Sequence, residues 1–143
     1  MMIEIYSQVT DEFVDACSRL LPQLSSSTKG MSWEAAEDYL GQEDVYQFVY
    51  RREENGPILG MLTLVTFTIP TGKRAWIEDV VVDEQTRGEG AGRQLVDAAV
   101  AHAQKLGMKS IDLTSRPTRV AANRLYQSAG FAQRETNIYR YNG

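Results

Sequence analysis

The chain has 143 residues, with hydrophobic residues at 43% and charged residues at 24%, which is ordinary globular usage and excludes wholesale disorder. Its net charge of −4, with no basic stripe and no interleaved aromatics, argues against a nucleic-acid partner. One cysteine, Cys17, excludes an intramolecular disulfide framework and a multi-cysteine zinc site. No apolar run approaches a membrane span, and the opening MMIEIYSQ carries neither a basic leader nor an apolar signal core. The expectation is one cytoplasmic domain over residues 1–143, with no metal and no membrane partner.

Charge is unevenly distributed. Residues 1–60 hold eleven acidic and four basic side chains, a net of −7, whereas residues 61–143 hold eight and eleven, a net of +3. Such asymmetry arises from differing solvated faces or from two kinds of partner.

In chain order, Met2–Tyr6 reads as a short strand. Thr10 or Asp11 caps a helix with Phe13, Val14, Cys17, Leu20 and Leu21 on one face, ending near Pro22. Ser25–Gly30 reads as a loop, and Ser32 starts a second short helix reaching Leu40. Val45–Tyr50 is β-branched and aromatic, hence a strand, and Asn55-Gly56 signals a hairpin. Ile58–Thr68 and Ala75–Val82 complete an antiparallel meander.

The period then changes. From Gly92, apolar positions fall at Leu95, Val96, Ala99, Val100, Ala103 and Leu106, an amphipathic helix stopped by Gly107. Ser110–Thr114 is a strand, so strand, helix and strand form a crossover. Pro117–Ser128 is a further helix, and Phe131–Tyr141 is expected to supply one or two closing strands. The fold class is α+β, a mostly antiparallel mixed sheet of six to seven strands with about four helices. His102 falls on the polar side of its helix and reads as a surface residue, and Cys17 reads as core.

Between the strand and the long helix lies Arg87-Gly88-Glu89-Gly90-Ala91-Gly92-Arg93. Alternate glycines admit backbone conformations that side chains forbid. At a helix start, free N–H groups and the helix dipole then make an anion site. A P-loop needs a Lys-Ser/Thr pair where Arg93-Gln94 stands. The dinucleotide fingerprint needs a third glycine where Arg93 or Leu95 stands.

At these residues the chain resembles the GNAT superfamily of acetyl-CoA-dependent N-acetyltransferases, whose signature Gln/Arg-x-x-Gly-x-Gly/Ala is matched from Arg87 to Gly92. Downstream, Leu125-Tyr126-Gln127-Ser128-Ala129-Gly130-Phe131 is similar to the family's Leu-Tyr-x-x-x-Gly-Phe segment. The motif-level resemblance covers about Trp76 to Tyr141. It implies an acetyl-CoA pyrophosphate on the backbone of Arg87, Gly88, Glu89, Gly90, Ala91, Gly92 and Arg93, and a pantetheine arm beside Val80, Val81 and Val82. It implies that Asn123 and Tyr126 lie near the cofactor, although the family often has an Asn where Arg119 stands here. Arg87, Arg93, Arg116, Arg119 and Arg124 would then surround a polyanionic coenzyme, and the acidic N-terminal part would suit a cationic amine. The family is often dimeric, and the tail at Glu135–Tyr141 offers a strand for a partner, so a homodimer is among the expectations.

Acetyl transfer needs a neutral amine, a stabilised oxyanion and a protonated leaving thiolate. Tyr126 is the candidate acid, and the resemblance implies the Val82 amide as oxyanion donor. Glu78 and Asp79 interrupt an otherwise apolar strand. Alternation sends Glu78 to the face of Trp76 and Val80, and Asp79 to that of Ile77 and Val81. Buried carboxylates need partners or water, so either could take the amine's proton, bind a cation, or pair with Lys73 or Arg74. Glu78 is favoured as base and Asp79 as a substrate contact. The same segment is also similar to the glucosamine-6-phosphate N-acetyltransferases of this family, which makes an amino-sugar phosphate an alternative acceptor. A non-catalytic acyl-CoA sensor of the same fold is a further alternative.

Overall fold

A computed structural model describes residues 2–143, and Met1 lies outside the described residues. Strand β1 (Met2–Tyr6) leads to helix α1 (Asp11–Leu24). Thr10 caps α1, its hydroxyl accepting from the Phe13 N–H at 3.1 Å, and Asp11 and Glu12 complement the helix dipole. Pro22 lies inside α1 rather than ending it. It falls in the last turn, where its missing N–H removes one bond without breaking the turns before it. Helix α2 (Trp33–Leu40) is capped by Ser32, whose hydroxyl accepts from the Ala35 N–H.

Strands β2 (Val45–Arg51), β3 (Gly60–Ile69) and β4 (Gly72–Val82) form the expected meander. A short 3₁₀ turn at Glu84–Thr86 precedes α3 (Ala91–Lys105), β5 (Ser110–Asp112) and α4 (Val120–Ser128). The sheet runs β1-β2-β3-β4-β5, antiparallel except for the parallel β4–β5 pair. Its class matches the expectation, with five strands among the described residues rather than six or seven.

The missing strands are those expected in Phe131–Tyr141, which forms no ladder. Ile138, Tyr139 and Tyr141 are exposed, at 67%, 87% and 93%. The β-branched and aromatic residues there have no buried sheet face to occupy, and local propensity does not make a strand without one.

Each sheet face is covered. Phe48, Leu62, Leu64, Ala75 and Ile77 pack beneath Leu95, Val96, Ala99 and Ala103 of α3. Val49, Met61 and Val81 pack on the other face beneath Phe13, Ala16, Cys17 and Leu20 of α1, with Ala36 and Leu40 of α2. Leu125, Tyr126 and Phe131 are half-buried against the α3 side. Cys17 is fully buried, as its place on the apolar face of α1 implies.

Among the polar residues that enter this interior are Arg51 and His102. Arg51 is 8% exposed and binds Glu4, both carboxylate oxygens of Glu12, the Tyr6 hydroxyl and the Gly56 carbonyl. It thereby ties β1, α1 and the β2–β3 connection together. His102, expected at the surface, is half-buried, with its ring 4.6 Å from Tyr46 and 5.8 Å from Phe48 in edge-to-face contact. It lies seven residues past Leu95, on the face that α3 turns to the sheet. Burial lowers its pKa, and its Nε2 has no hydrogen-bond partner among the described residues.

Candidate active site

The site begins with an irregularity in β4. Thr63 is paired with Glu78, whereas Met61 is paired with Val81. One residue of β3, Leu62, therefore opposes two of β4, Asp79 and Val80, which is a β-bulge. Asp79 has φ +50°, a left-handed conformation that Asp adopts more readily than most residues. The extra residue reverses the facing of the rest of the strand. Val80 and Val82 pack on the α3 side and Val81 on the α1 side, which corrects the simple alternation expected for Glu78 to Val81. Glu78 does stay with Trp76, whose Nε1–H donates to the Glu78 carboxylate. The ion pair with Lys73 or Arg74 does not form; Glu78 and Asp79 are exposed, with no cationic partner among the described residues.

Strand β5 pairs with β4 only from Arg74 to Trp76, so beyond Trp76 the two strands part. The gap is a cavity of about 250 Å³, lined by Glu78, Asp79, Val80, Thr114, Arg119 and Tyr126 among others, with Leu21, Leu24, Ser25 and Thr28 completing the wall. The Tyr126 hydroxyl has no protein hydrogen-bond partner among the described residues. Burial raises its pKa, opposed by the positive charge of Arg119. The Asp83 N–H donates to the Leu59 carbonyl at 2.8 Å, so alternation turns the amide of Val82 away from β3, toward the open side of β4.

At the far end of β4 the glycine-rich turn enters α3. Gly88 and Gly90 have φ +87° and +82°, and Gly90 caps the helix without any side-chain bond. The N–H groups of Gly88, Gly90, Ala91, Gly92 and Arg93 meet no protein acceptor among the described residues, while that of Glu89 is turned to the Thr86 carbonyl. A Cβ on Gly88 would meet nothing within 4 Å. Unpaired amides at the positive end of a helix dipole are the donor set that a phosphate requires.

The side chains around this cradle have other engagements. Glu89 pairs with Arg52. Arg93 pairs with Asp97 and donates to the Ser128 hydroxyl. Asn123 donates from Nδ2 to the carbonyls of Arg116 and Arg119 at 2.9 and 2.8 Å, tethering the loop before α4. Arg87 and Arg124 are exposed, and Arg119 faces the cavity.

Beside the first cavity lies a second, of about 150 Å³, which shares Leu21 and Asp79 with it. Sequence periodicity had no means of showing it, because its walls come from five separate elements and the chain before α2. No group of three or more His, Cys, Asp or Glu residues is placed to hold a metal among the described residues. No helix among them is long and apolar enough to cross a membrane.

The sequence profile of the acetyltransferase (GNAT) family matches residues 6–131. The chain belongs to that family. A mycothiol acetyltransferase of Propionibacterium freudenreichii subsp. shermanii is 27% identical over 110 residues, which cover 76% of this chain and 35% of that relative. The chain thus spans about a third of the length of that enzyme. An uncharacterised N-acetyltransferase of Bacillus subtilis, YhfO, is 33% identical over 91 residues, covering 62% of this chain and 60% of its own. Among solved structures, a putative acetyltransferase from Agrobacterium tumefaciens superposes with a TM-score of 0.86 at 23% identity, covering 99% of this chain and all of that one. That likeness is one of fold.

Proposed function

We propose that this chain transfers the acetyl group of acetyl-CoA to a primary amine by direct attack within a ternary complex. The observation that carries the reading is the arrangement along the C-terminal half of β4, with Glu78, Asp79 and Tyr126 around one cavity and unpaired amides in the turn that follows the strand. In this reading the pyrophosphate lies on the amides of Gly88, Gly90, Ala91, Gly92 and Arg93. Pantetheine runs beside Val80 to Val82, in the place that β5 leaves open. Arg87 supplies positive charge to the coenzyme. Glu89 contributes position rather than a donor, since its amide and carboxylate are engaged. Asn123 acts by holding the loop that carries Arg119.

The chemistry rests on the cavity's lining. Asp79 receives the acceptor as an ammonium. Glu78, directly or through water, takes one proton from the ammonium and passes it to solvent. The freed lone pair attacks the thioester carbon, and the nitrogen loses its second proton by the same route. The N–C bond forms, the oxyanion develops against the Val82 amide, and the C–S bond breaks. Tyr126, a phenol whose pKa burial raises, gives its proton to sulfur and regains one from solvent. Phenol is the weaker acid, near pKa ~10 against ~8.5 for a thiol, so this transfer depends on position and on the nearby Arg119 charge.

The test is calorimetric titration with coenzyme A alongside thiol release from acetyl-CoA in the presence of primary amines. Binding with amine-dependent release is the expected result. Binding without release from any amine would replace the reading with that of an acyl-CoA sensor.

A further inference from the structure

The second cavity has a chemistry of its own. Phe13, Cys17, Leu21, Met31 and Met61 form an apolar wall, and Tyr39, Gln47, Thr63 and Asp79 supply the polar atoms. Gln47 donates from Nε2 to the carbonyls of Phe48 and Leu62. Its Oε1 therefore faces inward, where it accepts from the Tyr39 hydroxyl at 2.6 Å. The Thr63 hydroxyl lies 3.3 Å from the same oxygen and 2.7 Å from the Tyr39 oxygen. Each hydroxyl has one proton, and both are engaged within the trio. What remains for a ligand is lone pairs.

Among the described residues no Lys or Arg lines this cavity, and the only charge is the carboxylate of Asp79. That charge is near enough to Tyr39 to push its pKa upward, adding to burial. A wall of hydrogen-bond acceptors with one negative charge repels anions and has no donor to receive them. Desolvating a ligand carboxylate or phosphate here is costly without compensation. An apolar body with a cationic end meets the opposite situation, with the cation at Asp79 and the carbon among the Met, Leu and Phe side chains. Asp79 borders both cavities, so an ammonium held there lies at the entrance to the one lined by Glu78 and Tyr126.

We infer that the second cavity receives the body of the acceptor, and that the acceptor is a primary amine on a compact apolar group carrying no anion. This rests on the transfer reading above. It separates the acceptor from amino acids with a free carboxylate and from amino-sugar phosphates, both of which carry an anion.

The test is steady-state kinetics of the full chain at saturating acetyl-CoA with methylamine, propylamine and isopentylamine, compared with leucine and glucosamine 6-phosphate. Expected is a rise in kcat/KM of about fourfold per added methylene until the cavity is full. Leucine should fall roughly 100-fold below isopentylamine. Asp79→Asn should raise KM for isopentylamine and leave KM for acetyl-CoA within about twofold. Cys17→Leu, which adds volume to the wall, should move the optimum to a shorter amine; the amine series on the unaltered protein stands if that variant fails to fold. Equal kcat/KM along the series, or leucine or glucosamine 6-phosphate as the best acceptor, overturns this inference alone. Thiol release with none of the acceptors overturns the transfer reading and this inference with it.

Discussion

Val81 of β4 is paired with Met61 of β3 and packs beneath α1, whereas Ile77, four residues earlier, is paired with Leu64 and packs beneath α3. The bulge at Asp79 and Val80 accounts for this reversal, and it places a carboxylate between two cavities. Asp79 holds φ +50°, which Asn and Gly tolerate and a β-branched residue does not. Asp79→Asn and Asp79→Gly should therefore keep the fold, while Asp79→Val should lose about 1–3 kcal/mol. Urea unfolding of the three variants measures this. A Val variant as stable as the Asn variant would show that the backbone there is not restrained.

Gly88 and Gly90 have positive φ in the amide cradle, and Gly107 has φ +78° beyond α3 and far from it. Alanine at any of the three should cost about 1–2 kcal/mol of stability through the same backbone strain. Only Gly88→Ala and Gly90→Ala should also weaken coenzyme A binding. Calorimetry on the three variants separates strain from ligand contact, and weakened binding in Gly107→Ala would undo the distinction.

Tyr126→Phe removes the hydroxyl and keeps the ring that packs edge-on against Phe131 at 6.2 Å. Turnover should fall by about 100-fold or more, with coenzyme A affinity and melting temperature unchanged. Retained turnover would remove Tyr126 as the proton donor to sulfur.

The Arg51 guanidinium beside Glu12 holds its carboxyl at about 2, against an ordinary value of 4.5. A folded-state pKa below the unfolded one contributes stability above pH 4.5 that is lost as pH falls toward 2. Unfolding midpoints measured from about pH 6 downward should drop through that window, and Glu12→Gln should flatten the drop. An unchanged acid limb in the variant would assign the effect to other carboxylates.

Much of this architecture is legible from local chemistry. Thr10 and Ser32 announce their helices because an N-cap hydroxyl needs no tertiary partner. Gly88 and Gly90 do the same for the cradle, since their conformations are open to few other residues. The bulge is not legible, because Asp79 is compatible with an ordinary strand and the register comes from β3. The role of Arg51 has no local signal, because Glu4, Glu12 and Gly56 converge on it from three other segments. His102 reads as solvated because the aromatic rings that cover it belong to β2. The tail departs in the other direction, with strand-like residues at Ile138, Tyr139 and Tyr141 that lack a buried face.

Direct transfer between two bound substrates requires no covalent stage on the protein. Cys17 is the chain's one thiol, buried in the wall of the second cavity with its pKa pushed up to about 11, a poor nucleophile at neutral pH. Initial rates of thiol release, measured while acetyl-CoA and a primary amine are varied together, distinguish direct transfer from a covalent route. Intersecting double-reciprocal lines, with release dependent on the amine, are the expected result. Parallel lines, or thiol release in bursts without amine, would mean that the acetyl group rests on the protein and would contradict direct transfer.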